Sequence, residues 1–178
     1  MKTFRFDDVC TNSNMLEVEL ITDFLIYNYD CNIIWAVSPL VHKSESFSQR
    51  VFPKIFTAHS DYRKFYSVDS LGLIPNVPKG VVLASHGLIH VDHRLLDYHA
   101  QEMSILVSCS LVGTKMFVPP FNKWNKDTEK ICKDNGIELV KFEDGWLSME
   151  YNPNIEGHKL WYLHHWNFNF DKVKEWIK

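Results

Sequence analysis

The sequence predicts an α/β fold with a parallel sheet. Short apolar runs alternate with amphipathic stretches along most of the 178 residues, a pattern typical of parallel strands joined by crossover helices. Polar residues follow several of these runs directly, at the edge where parallel α/β folds build their sites. An open sheet and a barrel both satisfy this pattern. We expect a single domain, because no repeat, low-complexity tract or long linker divides the chain.

The start of the chain contains three predicted elements. Residues 3–6 read as a strand, residues 15–29 as a helix, and residues 31–37 as a second, buried strand. Polar residues at 12–14 precede the helix as candidate caps, because their side-chain oxygens can accept its first free N–H groups. The predicted helix places several apolar residues at helical spacing, namely Leu16, Leu20, Ile21, Phe24 and Leu25.

The same alternation continues to the end of the chain. A short helix at 46–52 and a short strand at 64–68 are predicted before a loop rich in Pro and Gly. Further strands are predicted at 81–84, 115–118, 137–142 and 160–165, and further helices at 98–111, 127–135 and 171–178. Gly136 is the expected end signal of the helix before it.

Composition excludes several classes of protein. The net charge is −3, with 19 Lys and Arg against 22 Asp and Glu, which argues against a nucleic-acid partner. No apolar stretch is long enough to span a bilayer. Acidic residues at positions 7 and 8 stand where a signal peptide needs its apolar region, so we expect a cytoplasmic protein. The four scattered cysteines are expected to be free thiols.

Two histidines follow the predicted strand at 81–84 directly. His86 and His90 are four residues apart, and on a helical turn they would share a face and could bind one metal ion. The alternative is a polar loop whose histidines cap a helix or meet solvent. Their place at a strand end favours the metal site.

Asp7 and Asp8 follow the first predicted strand. Adjacent carboxylates are costly to bury unless they are paired or bound to a metal. One of them could bind a metal while the other acts as a base. The alternative is an ordinary loop start in which Asp8 is a cap.

Five motifs in this order resemble the polysaccharide deacetylases of the NodB-homology type (carbohydrate esterase family 4). They are similar, more narrowly, to the short WbmS-type members associated with surface-polysaccharide and O-antigen gene clusters. The motifs are Asp7-Asp8, HxxxH at 86–90, FVPPF at 117–121, the pair Asp144 and Trp146, and LHH at 163–165. The resemblance implies a deformed, incomplete (β/α) barrel over residues 1–178. It also implies hydrolysis of the N-acetyl group of an amino sugar, free or linked to a polysaccharide, lipid or nucleotide.

The resemblance also implies roles for single residues. Asp8, His86 and His90 would bind a divalent transition metal, with zinc the expected ion, and Asp7 would be the general base. The backbone N–H of Phe121 would stabilise the oxyanion.

The general acid implied by the resemblance is a late histidine. His165 fits the motif read literally, whereas the spacing to Trp166 favours His164, and both stay candidates. Asp144 is expected to orient this histidine through its far ring nitrogen. Trp146 belongs either to the same motif or to the core.

One position departs from the family pattern. Val118 stands where the family has an arginine that holds the base, so either Arg5 or Arg94 replaces that cation or the base is tuned differently. A non-catalytic carbohydrate-binding or scaffold protein on the same fold is the alternative function. Hydrolysis of another amide or ester is a second enzymatic alternative.

Four residues are candidates for substrate contact, and they lie in polar loops after predicted strands. They are Asn122, Trp124, His93 and His42. Because 178 residues is short for the family, a homo-oligomer could complete the cleft.

Overall fold

The computed structural model describes residues 1–10, 13–39, 77–149 and 158–164. The strands are β1 (Lys2–Val9), β2 (Cys31–Val37), β3 (Val81–Ser85), β4 (Met116–Phe117), β5 (Glu138–Leu139), β6 (Leu147–Ser148) and β7 (Leu160–His164). The helices are α1 (Met15–Asn28), α2 (Tyr98–Val112) and α3 (Lys126–Asp134).

The seven strands within the described residues are all parallel and form one sheet in the order β5-β4-β3-β2-β1-β7-β6. The sheet curls into a half-barrel, and with its helices it is the incomplete (β/α) barrel that the family resemblance implied. β1 lies near the centre, between β2 and β7, so polar residues at its carboxyl end face those of both neighbours.

Most predicted elements are confirmed within a few residues. β2 has the predicted bounds, and α2 extends one residue past them. β6 was not predicted. The predictions at 46–52, 64–68 and 171–178 lie outside the described residues.

The apolar residues at helical spacing on α1 do not all lie on its buried face. Leu16 and Leu20 are 66% and 53% exposed. The helix instead buries positions that follow the i, i+3, i+4, i+7 rule, namely Val18, Ile21, Thr22 and Leu25. Asn14 caps the helix as predicted, since its Oδ1 accepts the Glu17 N–H at 3.4 Å.

The two faces of β1 differ in polarity. Phe4 and Phe6 point toward α1 and belong to the largest apolar cluster of the described residues. Arg5, which alternates with them, points to the opposite, concave face, where its guanidinium packs on Trp146. The concave face therefore carries the polar chemistry, and the apolar layer under α1 supports it.

The carboxyl end of β1 is irregular. Its pairing with β2 shifts register between Phe6 and Val9, and Asp8 has φ of 59°. Such a bulge re-aims a side chain at the end of a strand. Here it turns two successive carboxylates toward the same edge of the sheet.

The structure bears on two predictions from composition, the one on membrane-spanning segments and the one on the cysteines. The longest described helix has 15 residues, and within the described ranges no helix is long and apolar enough to cross a bilayer. The cysteines are free thiols, as predicted, and they are Cys10, Cys31, Cys109 and Cys132.

Candidate metal and catalytic site

Asp8, His86 and His90 converge at the carboxyl edge of the sheet. Asp8 Oδ1 lies 3.2 Å from His86 Nε2 and 2.8 Å from His90 Nε2. The three ligand atoms lie within 4.8 Å of one another. In the part of the chain that the structure describes, this is the one cluster of its kind.

The tautomer of His86 is fixed by the backbone. Its Nδ1 lies 2.8 Å from the carbonyl oxygen of Val118. Because a carbonyl can only accept, Nδ1 carries the hydrogen and Nε2 presents a lone pair to Asp8 in the neutral ring. A histidine ligand held through its other nitrogen in this way is typical of metal sites.

This donor set fits a divalent transition metal. A lone pair facing a carboxylate oxygen is unfavourable unless a proton or a cation lies between them. Asp8 Oδ1 is buried and makes no hydrogen bond of ordinary geometry, although two ring nitrogens approach it. One carboxylate and two imidazoles are also the ligands of many catalytic zinc sites.

The pKa of Asp8 reflects the same surroundings. Burial by itself raises the pKa of this carboxyl, but His90 and His86 beside it hold the pKa well below its usual range. Asp8 is therefore an anion that faces the two rings, the form in which a carboxylate binds metal.

The two histidines do not lie on a helical turn, the condition under which their spacing by itself would place them on one face. Residues 86–92 have no regular secondary structure. Gly87 has φ of +80°, a left-handed conformation that bends the chain sharply after His86. The bend brings the rings of His86 and His90 to 5.1 Å between centroids.

Asp7 is held by Arg5. The guanidinium Nε and Nη2 donate to the two carboxylate oxygens of Asp7 at 2.7 and 2.8 Å. Both residues are buried, and they lie two positions apart on one strand. Of the two arginines named as alternatives, Arg5 is therefore the one that pairs with Asp7. Arg94 instead pairs with Asp92, and its side chain is 45% exposed.

Arg5 also connects β1 to the turn after β4. Its Nη2 donates to Asn122 Oδ1 at 2.6 Å. The guanidinium carbon lies 4.7 Å from the Trp146 ring and 5.4 Å from the Tyr162 ring. Trp146 therefore contacts the site through Arg5 while it packs in the core.

The turn after β4 is strained. Phe121 and Asn122 have φ of 58° and 55°. With Asp8, they are the three non-glycine residues with positive φ among the described residues. Such conformations cluster at functional sites. The centroids of the Phe121 and His90 rings are also 4.3 Å apart, which places this turn beside the cluster of Asp8, His86 and His90.

His164 lies at the same edge as the cluster. It is paired in register with Asp7, and its Nε2 is 3.8 Å from Asp8 Oδ2. The alternation of β7 places Leu163 in the core under α1, so His164 faces the concave side. His165 and His42 lie outside the described residues.

The prediction that His93 contacts substrate is wrong. The residue is fully buried, its Nδ1 lies 3.0 Å from the Val91 carbonyl oxygen, and its Nε2 lies 3.0 Å from Ser104 Oγ. Both ring nitrogens are therefore engaged inside the protein. Burial lowers the pKa of His93 to about 4.

Asp144 and Trp124 lie after β5 and β4, respectively. Asp144 is exposed, and its Oδ2 accepts the Lys141 N–H at 3.1 Å, as a turn cap does. Trp124 donates to Glu143 at 3.3 Å, and Lys141 lies over its ring. Their predicted functional roles stay predictions.

Sequence reasoning missed three serines behind the site. Ser85, Ser104 and Ser108 are buried. The hydroxyls of Ser85 and Ser104 accept backbone N–H groups of the segment that carries the histidines, and the Ser108 hydroxyl bonds to that of Ser85. The spacing of Ser104 and Ser108, four residues apart beside apolar neighbours on α2, was the available signal.

Comparison with solved structures gives a similar protein. The chain shares its fold with a family 4 carbohydrate esterase. That enzyme, from Streptomyces lividans and in complex with acetate, has a TM-score of 0.58 and 16% sequence identity to this chain. The alignment covers 99% of this chain and 83% of that one. No protein-family model and no curated protein matches the sequence.

Proposed function

We propose that this protein is a metal-dependent hydrolase that removes the N-acetyl group from an amino sugar, free or linked to a polysaccharide, lipid or nucleotide. The convergence of Asp8, His86 and His90 beside the Arg5–Asp7 pair carries the proposal. The shared fold supports it, because that carbohydrate esterase was solved with acetate, the acid that deacetylation releases.

Asp8, His86 and His90 would hold the metal, with zinc the expected ion. When bound, a divalent metal supplies Lewis acidity for the acyl carbonyl and for an attacking water. Val118 and Asp8 orient the two rings through the contacts described above.

Asp7 is the proposed general base. Its carboxylate lies next to Asp8, and the fork of Arg5 fixes its orientation. A base held in one orientation needs no rearrangement when it accepts the proton of the attacking water.

Phe121 and His164 would act on the other atoms of the amide. The backbone N–H of Phe121 would donate to the oxyanion, an interaction commonly worth about 3 kcal/mol. His164 would give a proton to the departing amine, because it faces the concave side across from Asp7. The products are acetate and a free amino sugar.

Metal analysis and acetate release test the proposal together. We expect wild-type protein to carry about one equivalent of transition metal, and an Asp8→Ala/His86→Ala variant to carry none. Asp7→Asn should keep the metal and lose acetate release from N-acetylglucosamine oligomers. His99→Gln, at an exposed position on α2, is the matched control and should behave as wild type.

Other results would contradict the proposal. Absence of metal from the wild type would remove its basis. Metal-loaded protein that binds the oligomers without hydrolysing them, equally well as Asp7→Asn, would favour the carbohydrate-binding alternative. Val118, at the position where the resembling family has an arginine, is the feature that favours the carbohydrate-binding alternative. The Arg5–Asp7 ion pair weighs against it, because Arg5 places a cation beside Asp7.

A further inference from the structure

We infer that Ser104 and His93 are positioning residues for the ligand loop, defined here as residues 86–93. The inference rests on the proposed function, because it concerns how the proposed ligands His86 and His90 are held. The loop follows β3, leads into a 3₁₀ turn (His93–Leu95) before α2, and has no regular structure before its last residue. Its shape therefore depends on side chains that satisfy its backbone groups.

Ser104 joins the middle of the loop to its end. Its Oγ accepts the Leu88 N–H at 3.1 Å and lies 3.0 Å from His93 Nε2. His93 Nδ1 faces the Val91 carbonyl oxygen at 3.0 Å and so carries the ring hydrogen. His93 Nε2 is then an acceptor, and the Ser104 hydroxyl donates to it.

A second chain of hydrogen bonds runs beside the first. The Gly87 N–H donates to Ser85 Oγ at 3.3 Å, and the hydroxyls of Ser85 and Ser108 are 2.5 Å apart. Ser108 Oγ in turn donates to the carbonyl of Ser104. The two backbone N–H groups that follow His86 thus both bond to serine hydroxyls, and both chains connect the loop to α2.

The loop is folded closely around the His93 ring. This ring is fully buried and meets Phe117 edge-on at 5.2 Å between centroids. A Cβ at Gly87 would lie 2.8 Å from His93 Cε1. The ring is neutral at neutral pH because burial lowers its pKa to about 4, which keeps Nε2 an acceptor for Ser104.

The position of Leu88 links this network to the metal ligands. Leu88 is two residues from His86 and two from His90, so its amide is the midpoint of the segment that sets their separation. Loss of its partner leaves a buried N–H unsatisfied, which favours a rearranged loop. Loss of hydrogen bonds that hold metal-binding residues in place commonly weakens metal binding by about 10–100-fold.

Zinc affinity, measured by competition with a chelating dye, tests the inference on the full chain. We expect Ser104→Ala to raise the Zn²⁺ dissociation constant about 10–100-fold, and His93→Leu to have a similar effect. Ser104→Thr keeps the hydroxyl and should bind nearly as wild type does. Ile21→Val changes a buried residue of α1 that lies in the apolar cluster away from the loop, and it is the control for lost stability. It should lower the melting temperature of the metal-free protein without changing zinc affinity.

The outcomes separate this inference from the proposed function. If wild type binds zinc and both disruptive variants bind it within twofold of wild type, the positioning role is wrong and the metal site stands. The positioning role is also wrong if Ile21→Val weakens zinc binding as much as Ser104→Ala and His93→Leu do. If wild type binds neither zinc nor cobalt, the proposed function fails and the inference fails with it.

Discussion

Arg5 and Asp7 occupy alternate positions of β1 and form a buried bidentate ion pair with contacts of 2.7 and 2.8 Å. Both side chains therefore project from the same concave face of the sheet. Arg5 thus places a cation beside Asp7, whereas Val118 stands where the family that the sequence resembles has an arginine. Its burial makes it a sensitive point for stability as well as for activity.

Removal of Arg5 should destabilise the protein strongly. Arg5→Met leaves the Asp7 carboxylate buried without its partner, and such a loss costs about 3–5 kcal/mol of unfolding free energy. The double variant Arg5→Met/Asp7→Asn should lose less than the sum of the single changes. Urea unfolding measures these free energies. The exposed Arg94–Asp92 pair is the control, and Arg94→Met should cost less than about 1 kcal/mol. Equal losses for Arg5→Met and Arg94→Met would contradict the assignment.

His164 should matter for turnover and not for metal content. His164→Gln removes the proposed proton donor and should lower kcat by about 10²–10⁴-fold. His158→Gln is the control, because His158 is exposed just before the same strand. Acetate release and metal analysis of both variants make the comparison. Loss of metal from His164→Gln would instead identify His164 as a ligand.

Gly87 should tolerate alanine less well than Gly113 does. Both have left-handed φ, +80° and +71°, so each substitution carries about 1–2 kcal/mol of backbone strain. A Cβ at Gly87 also overlaps His93 Cε1 and the Ile89 carbonyl oxygen, whereas nothing lies within 4 Å at Gly113. We expect Gly87→Ala to cost about 1–3 kcal/mol more in urea unfolding. Equal costs would show that the loop yields freely.

His93 should make the metal-free protein less stable as pH falls. Burial lowers its pKa to about 4 in the folded protein, against about 6.5 when unfolded. Between these values the unfolded chain binds more protons, so the stabilisation is complete above about pH 6.5 and decreases toward pH 4. The full effect is about 3 kcal/mol.

The variant His93→Gln tests the origin of this pH dependence. Asp92 raises the pKa of His93 while His86 and His90 lower it, and all three stay in the variant. Unfolding free energies measured at several pH values should then vary less with pH than in wild type. His99→Gln, at an exposed site, should leave the wild-type profile unchanged. Identical profiles for wild type and His93→Gln would assign the pH dependence to other groups.

Much of the fold was predictable because its signals are local. Apolar runs and capping residues placed β2 with its exact bounds and α2 within one residue. The spacing of apolar residues in α1 indicates a helix. It does not indicate which of two overlapping faces of that helix is buried. That choice depends on the sheet beneath the helix, which selects Val18 and Ile21 over Leu16 and Leu20.

The sequence by itself determined which residues reach the carboxyl edge of the sheet. The pair Asp7-Asp8 and the histidines His86 and His90 stand at strand ends, and parallel strands bring such ends together. The family resemblance, and not the spacing, implied that Asp8 is the ligand of the pair. Tertiary structure alone decided how these residues are arranged. The choice of Arg5 over Arg94, the irregular loop between the histidines, and the burial of His93 depend on register, a bulge and the packing of α2. These are contacts between residues far apart in sequence, and no local periodicity encodes them.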